Sequence, residues 1–264
     1  QPLTAQESLA VKTIIIMAVS ILGVSATSAA IEAIRKGGDD DDVLKAIWDA
    51  INPDPYDGNF ASLIIAGKRI PLGGPYRAIF RAVYPQDIAS QTRVQVPSLS
   101  ERLCGIYRPQ HFTGVATVVS KFFNLVQPDI AVFGEKDFQQ LLIIQHLTAD
   151  LAFPLSIVSV PTQREPDGLA LSSRNRYLSP QSRQVAPLLQ QTLVSLRNDI
   201  QNGAQNYPQL IQTASTQLTE AGFCLDYLEI CRPSDLTPAS PDDNSLIILA
   251  AAYLDRTRLI DNIL

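Results

Sequence analysis

Histidine is nearly absent from this chain. Its 264 residues contain only His111 and His146, and none precedes position 111. Cysteine is almost as scarce: Cys104, Cys224 and Cys231 lie far apart with no C-x-x-C pair. That count excludes a disulfide framework and a Cys/His zinc site, and it suits a reducing compartment, so a cytoplasmic setting is expected. An excess of positive charge is missing too. Lys and Arg number 21 against 26 Asp and Glu, for a net charge of −5. A nucleic-acid backbone is therefore not the expected partner, and an anionic substrate would have to be held by a local cluster of cations.

Long apolar runs are also lacking, with one segment to weigh. Thr13–Ile31 is uncharged over 19 residues, near the lower limit for a membrane-spanning helix. Its second half is mostly Gly, Ser, Thr and Ala. A buried strand (Ile14–Ile21) followed by a small-residue turn and helix is the expected reading, with no membrane partner. No basic stretch precedes an apolar core at the start, so no secretory signal is expected.

What is present is ordinary globular material: 46% hydrophobic and 18% charged residues, enough for one large or two modest domains. After the first strand, "ATSAAIEAIRK" reads as a helix ending at Gly37-Gly38. "DDDD" (39–42) reads as a solvated turn, "VLKAIWDAI" as helix or strand, and "NPDPYDG" (52–58) as loop. Further on, "GVATVVSKFFNLV" places Val115, Val118, Val119, Phe122 and Val126 on a helical stripe. "DIAVF" (129–133) and "LSIVSVPT" (155–162) read as strands either side of a helical "DFQQLLIIQHLTADL", in which His146 is expected to be partly buried. Alternation of this kind implies an α/β fold with a parallel sheet.

Beyond about residue 178 the pattern changes. A helix is expected from the Ser179 cap and Pro180 to Gly203, and a second ends at Gly222. Three strand candidates follow: 225–230, 245–254 and 258–263. Together these imply a small α+β domain, with the boundary near 163–180. No internal repeat or low-complexity tract is visible.

Three stretches could carry chemistry. In "AVFGEKDFQQL" a strand runs into a helix through Gly134. There backbone N–H groups and the helix dipole can face an anion, and Lys136 adds a point charge for phosphate. A plain turn with a solvated Glu–Lys–Asp cluster is the alternative. "REPDGLALSSRNRYLS" holds Arg164, Asp167, Gly168, Ser172, Ser173 and Arg174 within eleven residues, a donor set suited to a polyphosphate; a loop at a helix end is the alternative. In "ERLCGIYRPQHFTG", Arg108, His111 and Gly114 suit a substrate-facing loop, or a loop histidine without a role.

Taken together, "LSERLCGIYRPQHFTGVATVVSKFFNLVQPDIAVFGEKDFQQ", "REPDGLALSSRNRYLS" and the tail "RLIDNI" resemble pantothenate synthetases (pantoate–β-alanine ligases) from about Tyr84 to Leu264. The resemblance implies a Rossmann-like nucleotidyltransferase domain over 1–165, with 1–83 divergent. It also implies a smaller C-terminal lid domain over 166–264, with helices and a small antiparallel sheet. It implies ATP-dependent condensation of pantoate with β-alanine through a pantoyl adenylate, with AMP and pyrophosphate released and Mg²⁺ on the phosphates. ATP would be bound by Gly134, Glu135, Lys136, Asp137, Gln163, Leu171, Ser172, Ser173 and Arg174. Of these, Lys136, Ser172, Ser173 and Arg174 would be catalytic, and Gln140, Arg108 and His111 would bind pantoate. No protein-held metal site is implied. Members are commonly homodimers, and some are fused to a cytidylate kinase.

The first third departs from that pattern. The family carries a GALHxGH-type motif after its first strand; here Ser25 and Ser28 stand where histidines would be expected. An NPxQF-type loop is echoed by Asn52-Pro53 without a glutamine. Losing a positioned imidazole costs about 10²–10⁴-fold in rate. The alternative is therefore a catalytically impaired nucleotide-binding homologue, or a chimera lacking the histidine motif.

Overall fold

A computed structural model of the protein describes residues 62–65, 68–71 and 92–264. The strand, helix, turn and loop expected between residues 13 and 58 lie outside the described residues, as do the Thr13–Ile31 segment and positions Ser25, Ser28, Asn52 and Pro53. Early in the chain, β1 (Ser62–Ile65) pairs antiparallel with β2 (Lys68–Pro71).

The chain divides into two compact units. Of the described residues, the first comprises 62–65, 68–71, 92–96, Phe112–Gly134 and Ile143–Val160; the second comprises Pro97–His111, Glu135–Leu142 and Pro161–Leu264. A short helix, α1 (Cys104–Tyr107), belongs to the second unit. It is followed by α2 (His111–Val126), β3 (Ile130–Gly134), α3 (Phe138–Asp150) and β4 (Ser156–Val160).

In the first unit β3 and β4 pair in parallel, from Ile130 opposite Ser156 to Gly134 opposite Val160. Parallel strands need a crossover connection, which α3 supplies. This is the expected α/β alternation.

The buried stripe of α2 differs from the expected one. Phe112, Ala116, Val119 and Phe123 are buried, with Phe122, whereas Val115 and Val118 are only half-buried. Thr117 and Ser120 share the buried side. Their hydroxyls donate to the carbonyls of Thr113 (2.7 Å) and Ala116 (2.8 Å), one turn back. Small hydroxyls satisfied within their own helix can be buried at little cost, so the stripe rotates toward them. Phe123 meets Phe153 edge-on, with centroids 5.2 Å apart. His146 is a correction to the expected burial: it is exposed, on the side of α3 opposite Ile143, Ile144 and Leu147.

The second unit is built on a three-stranded antiparallel sheet, in the order β5 (Phe223–Cys231), β6 (Ile247–Leu254), β7 (Thr257–Ile263). The single helix expected from Ser179 to Gly203 is two helices, α4 (Pro180–Val185) and α5 (Leu188–Gln201). Pro187 lies at the break; it has no N–H to continue the ladder. The Ser179 cap is as expected, its hydroxyl accepting from the Ser182 N–H at 3.1 Å. Helix α6 (Tyr207–Glu220) starts at the Asn206 cap and gives way to Gly222, whose φ is 96°. Leu189, Leu193 and Leu196 of α5 and Leu218 of α6 close one core with Leu228, Ala250, Ala252 and Leu259 of the sheet.

Candidate functional site

The strand-to-helix junction after β3 is a single tight 3₁₀ turn, Glu135–Asp137, leading into α3. All three of its side chains are half-buried. Its backbone is held from the C-terminal strand: the Asn262 side-chain amide donates to the carbonyls of Glu135 and Lys136, each at 2.9 Å. Two residues on, Gln139 is buried, and its amide donates to Leu99 O and Arg102 O (both 2.7 Å). Its Oε1 accepts from the Cys104 N–H at 3.1 Å. Gln139 thus fixes the loop that carries α1 and Arg108. Gln140, its neighbour, is half-buried and has no side-chain hydrogen bond among the described residues.

Residues 164–170 form a tight antiparallel turn, in which Arg164 bridges Ala170, and Glu165 and Leu169 share a backbone bond of 2.8 Å. Pro166 presets the backbone, Asp167 Oδ1 accepts from the Leu169 N–H, and Gly168 has a φ of 93°. A Cβ at Gly168 would meet only the tip of the flexible Gln190 side chain, at 2.8 Å, so it is the backbone conformation that favours glycine. The turn leads through Leu171, whose N–H donates to Gln163 O (2.8 Å), into Ser172. The Ser172 hydroxyl caps a short 3₁₀ turn by accepting from the Arg174 N–H at 3.2 Å. Ser173 and Arg174 are exposed, as is the Gln163 side chain.

Lys136 and Ser172 line one small recess, together with Ala170, Asn175, Arg258 and Asp261. Asn175 Oδ1 is buried there without a donor among the described residues. Two arginines near these stretches are already committed elsewhere. Arg164 forms a two-point ion pair with Asp261 (2.6 and 2.9 Å), and Arg183 is paired with Asp167 (2.5 Å) and Glu165 (3.1 Å). Arg164 and Asp167 are therefore frame residues, and Lys136, Arg174 and Arg176 are the cations of these two stretches without a carboxylate partner among the described residues, Arg176 lying instead on the Tyr177 ring and hydroxyl.

Arg108 and His111 stand close together, with the guanidinium Nη1 3.1 Å from the imidazole Nε2. A guanidinium can only donate, so Nε2 accepts and the neutral ring carries its proton on Nδ1. Burial, and then the Arg108 charge, lower the His111 pKa from its usual 6.5 to about 4; Arg258 and Arg174 add to this and Asp137 opposes it. The Arg108 pKa is itself lowered, first by burial and then by Arg258 and Arg174. Three arginines and a neutral histidine therefore act on one another here, with Asp137 as the carboxylate that His111 feels. Such a cluster suits one or more anions.

Sequence reasoning missed Arg258. It is buried on β7, donates through Nε to Asp226 (2.7 Å) and through Nη2 to Cys104 Sγ (3.3 Å), and lines the recess. Burial alone lowers its pKa, but Cys104 and Asp226 outweigh that and the net shift is upward. The signal was available: "TRLIDNI" is an apolar strand interrupted by Arg258, Asp261 and Asn262. Polar residues in a buried strand need partners, and these have them.

With a parallel sheet crossed by helices and a separate antiparallel sheet carrying the C-terminal strands, the chain has an α/β nucleotidyltransferase-like fold. Residues 76–264 match the family model described as pantoate-beta-alanine ligase, and the chain belongs to that family. The pantothenate synthetase of Ectopseudomonas mendocina (strain ymp) is 57% identical over 182 residues, 69% of this chain and 64% of that protein. The pantothenate synthetase of Hahella chejuensis is 48% identical over 211 residues, 80% of this chain and 73% of that protein. Among solved structures, the pantothenate synthetase of Thermus thermophilus superposes with a TM-score of 0.65 at 43% identity, covering 70% of this chain and 66% of that one. A pantoate-beta-alanine ligase of Francisella tularensis, crystallised with beta-gamma ATP and beta-alanine, superposes with a TM-score of 0.54 at 28% identity, covering 70% of this chain and 61% of that one. The chain spans about 64% of the length of the first curated relatives it matches. Among the described residues no helix is long and apolar enough to cross a membrane.

Proposed function

We propose that the protein condenses pantoate with β-alanine at the expense of ATP, in two steps at the site described. A pantoate carboxylate oxygen attacks the α-phosphorus of ATP. The bond to the bridging oxygen of the β-phosphate breaks, and pyrophosphate leaves with that electron pair. The amine of β-alanine then attacks the activated acyl carbon, AMP leaves, and the amine proton passes to solvent.

The observation that carries this reading is that Lys136 and Ser172, from two separate stretches, line one recess in a member of this family. Gly134, Glu135, Asp137, Gln163, Leu171, Ser173 and Arg174 extend the ATP-binding set, with Lys136 and 172–174 as the catalytic donors. Fixed cations of this kind stabilise charge that develops on phosphate oxygens in the transition state. Gln140, Arg108 and His111 would hold pantoate, the guanidinium facing its carboxylate and the neutral imidazole avoiding a second charge. No cluster of three or more His, Cys, Asp or Glu able to hold a metal occurs among the described residues. Mg²⁺ would be carried mainly by phosphate and water, with Asp137 as a single carboxylate, and would neutralise phosphate charge. A cytoplasmic homodimer is part of the same reading.

A second reading is an ATP-binding homologue with little turnover, favoured by the lack of any histidine before His111. Pyrophosphate release from Mg-ATP, measured with and without pantoate, separates the two. Pantoate-dependent release followed by β-alanine-dependent AMP release is the expected result. ATP binding without pyrophosphate release would establish the second reading instead.

A further inference from the structure

The C-terminal strand places two adjacent polar residues, both buried, on opposite faces of the sheet. Asn262 reaches the 135–137 turn and donates to two consecutive carbonyls, Glu135 O and Lys136 O. Asp261 shares the face of Leu259 and grips Arg164 at two points. Arg164 also donates to Gly168 O at 3.1 Å and Asn262 O at 3.3 Å. The two residues are tied to each other as well, Asp261 Oδ1 accepting from the Asn262 N–H at 2.8 Å.

We propose that Asp261 and Asn262 are positioning residues, one register pin on β7 that sets the lysine turn (135–137) and the serine–arginine loop (171–174) relative to each other. This rests on the proposed reading of those segments as ATP-binding. The peptide unit is planar and trans, so drawing the carbonyls of 135 and 136 toward Asn262 turns the N–H groups of Lys136 and Asp137 the other way. Arg164 fixes the 164–170 turn from which Leu171 and Ser172 emerge. It also neutralises the Asp261 carboxylate, which would otherwise put an unpaired negative charge in the recess beside Lys136 and Ser172. Adjacent residues on one strand cannot shift independently, so the spacing of the two segments follows the strand.

The test uses the full chain with N262D and R164K, and ATP and adenosine as probes. Displacing positioned groups costs up to about 10²-fold. N262D, which sets a carboxylate against two carbonyls, is expected to weaken ATP about tenfold or more while adenosine changes less than about threefold. R164K keeps the charge but loses the two-point grip, so about a three- to tenfold ATP loss is expected. Amide hydrogen exchange supplies a readout independent of ligand: protection should fall over 135–138 in N262D and over 165–171 in R164K. Should N262D prevent folding, R164K, at a partly exposed position, carries the test alone. Equal losses for ATP and adenosine, or unchanged exchange in the variants, would overturn the positioning role while leaving the proposed function standing. An unaltered chain that does not bind ATP would remove the proposed function, and the phosphate-directed role of this pair with it.

Discussion

Gln139 holds the backbone of Cys104 across 35 residues of sequence, its Oε1 accepting the Cys104 N–H at 3.1 Å. The same side chain donates to Leu99 and Arg102, so one buried amide satisfies three backbone groups of the loop leading to Arg108. Its neighbour Gln140 leaves its amide without such bonds. Two adjacent glutamines therefore differ: one builds the frame, and the other is the one proposed above to contact pantoate.

Gln139→Leu should consequently be a stability variant. It leaves two carbonyls and one N–H without their donor or acceptor, each worth about 1–3 kcal/mol when buried. Partial solvation of the loop reduces the sum, and a net loss of about 3 kcal/mol is expected. Urea unfolding of the two forms measures it. Gln140→Leu should change stability by less than about 1 kcal/mol, since it breaks no such bond. If Q139L unfolds at the same denaturant concentration as the unaltered chain, Gln139 is not the clamp described.

Lys136→Ala should act on function rather than folding. Lys136 is half-buried, has no carboxylate partner among the described residues, and lines the recess with Ser172. Removing one preorganised cation or donor at a developing charge costs about 10²–10³-fold in turnover. K136A is expected to lose that much pantoate-dependent pyrophosphate release with an unfolding midpoint within error of the original. Comparable loss of stability and rate would mean that Lys136 supports the fold instead.

The α/β alternation and the C-terminal strands are legible in the sequence because both rest on local signals, β-branched runs and the capped, glycine-stopped helices between them. The antiparallel pairing of those strands follows instead from the family resemblance. The sequence mis-set the α2 stripe, because the burial of Thr117 and Ser120 depends on hydroxyl bonds that hydropathy periods do not register. It also grouped Arg164 with the phosphate donors. That grouping was natural at ten residues from Arg174, but Asp261, 97 residues away, claims the guanidinium. Long-range pairing of charges is the part of a site that spacing along the chain cannot express. Arg258 and Asn262 also pair at long range, with Asp226 and with the 135–137 turn, and the local trace they leave is only a polar interruption of an apolar strand.

His111 gives a pH dependence with a defined sign. Burial and the neighbouring arginines, Arg108 foremost, hold its folded-state pKa at about 4, below the 6.5 of an exposed ring. Between those values the unfolded chain binds the proton and the folded one does not, so stability rises with pH across the window. The contribution is complete above about pH 6.5 and is lost as pH falls toward about 4. His111→Gln, whose amide oxygen can still accept from Arg108, should flatten that slope between pH 4 and 6.5 while leaving the region above about pH 7 alike. Denaturant unfolding at half-unit pH steps reads it directly, and parallel slopes in the two forms would show that His111 titrates normally.

Arg258 offers the most severe single change. Its side chain and that of Asp226 are 8% and 13% exposed, joined at 2.7 Å beside the bulge between Leu225 and Tyr227 in β5. Removing one partner of a buried pair strands the other charge and costs about 3–5 kcal/mol. Arg258→Met should therefore destabilise by about that amount. Asp226→Asn, which keeps an acceptor for Nε, should cost less. In the double variant neither charge is left behind, so its loss should fall below the sum of the singles by at least about 1 kcal/mol. Thermal or urea unfolding of all four forms closes the cycle. Strict additivity would show that Arg258 is stabilised by Cys104 and its surroundings, and that Asp226 is incidental to it.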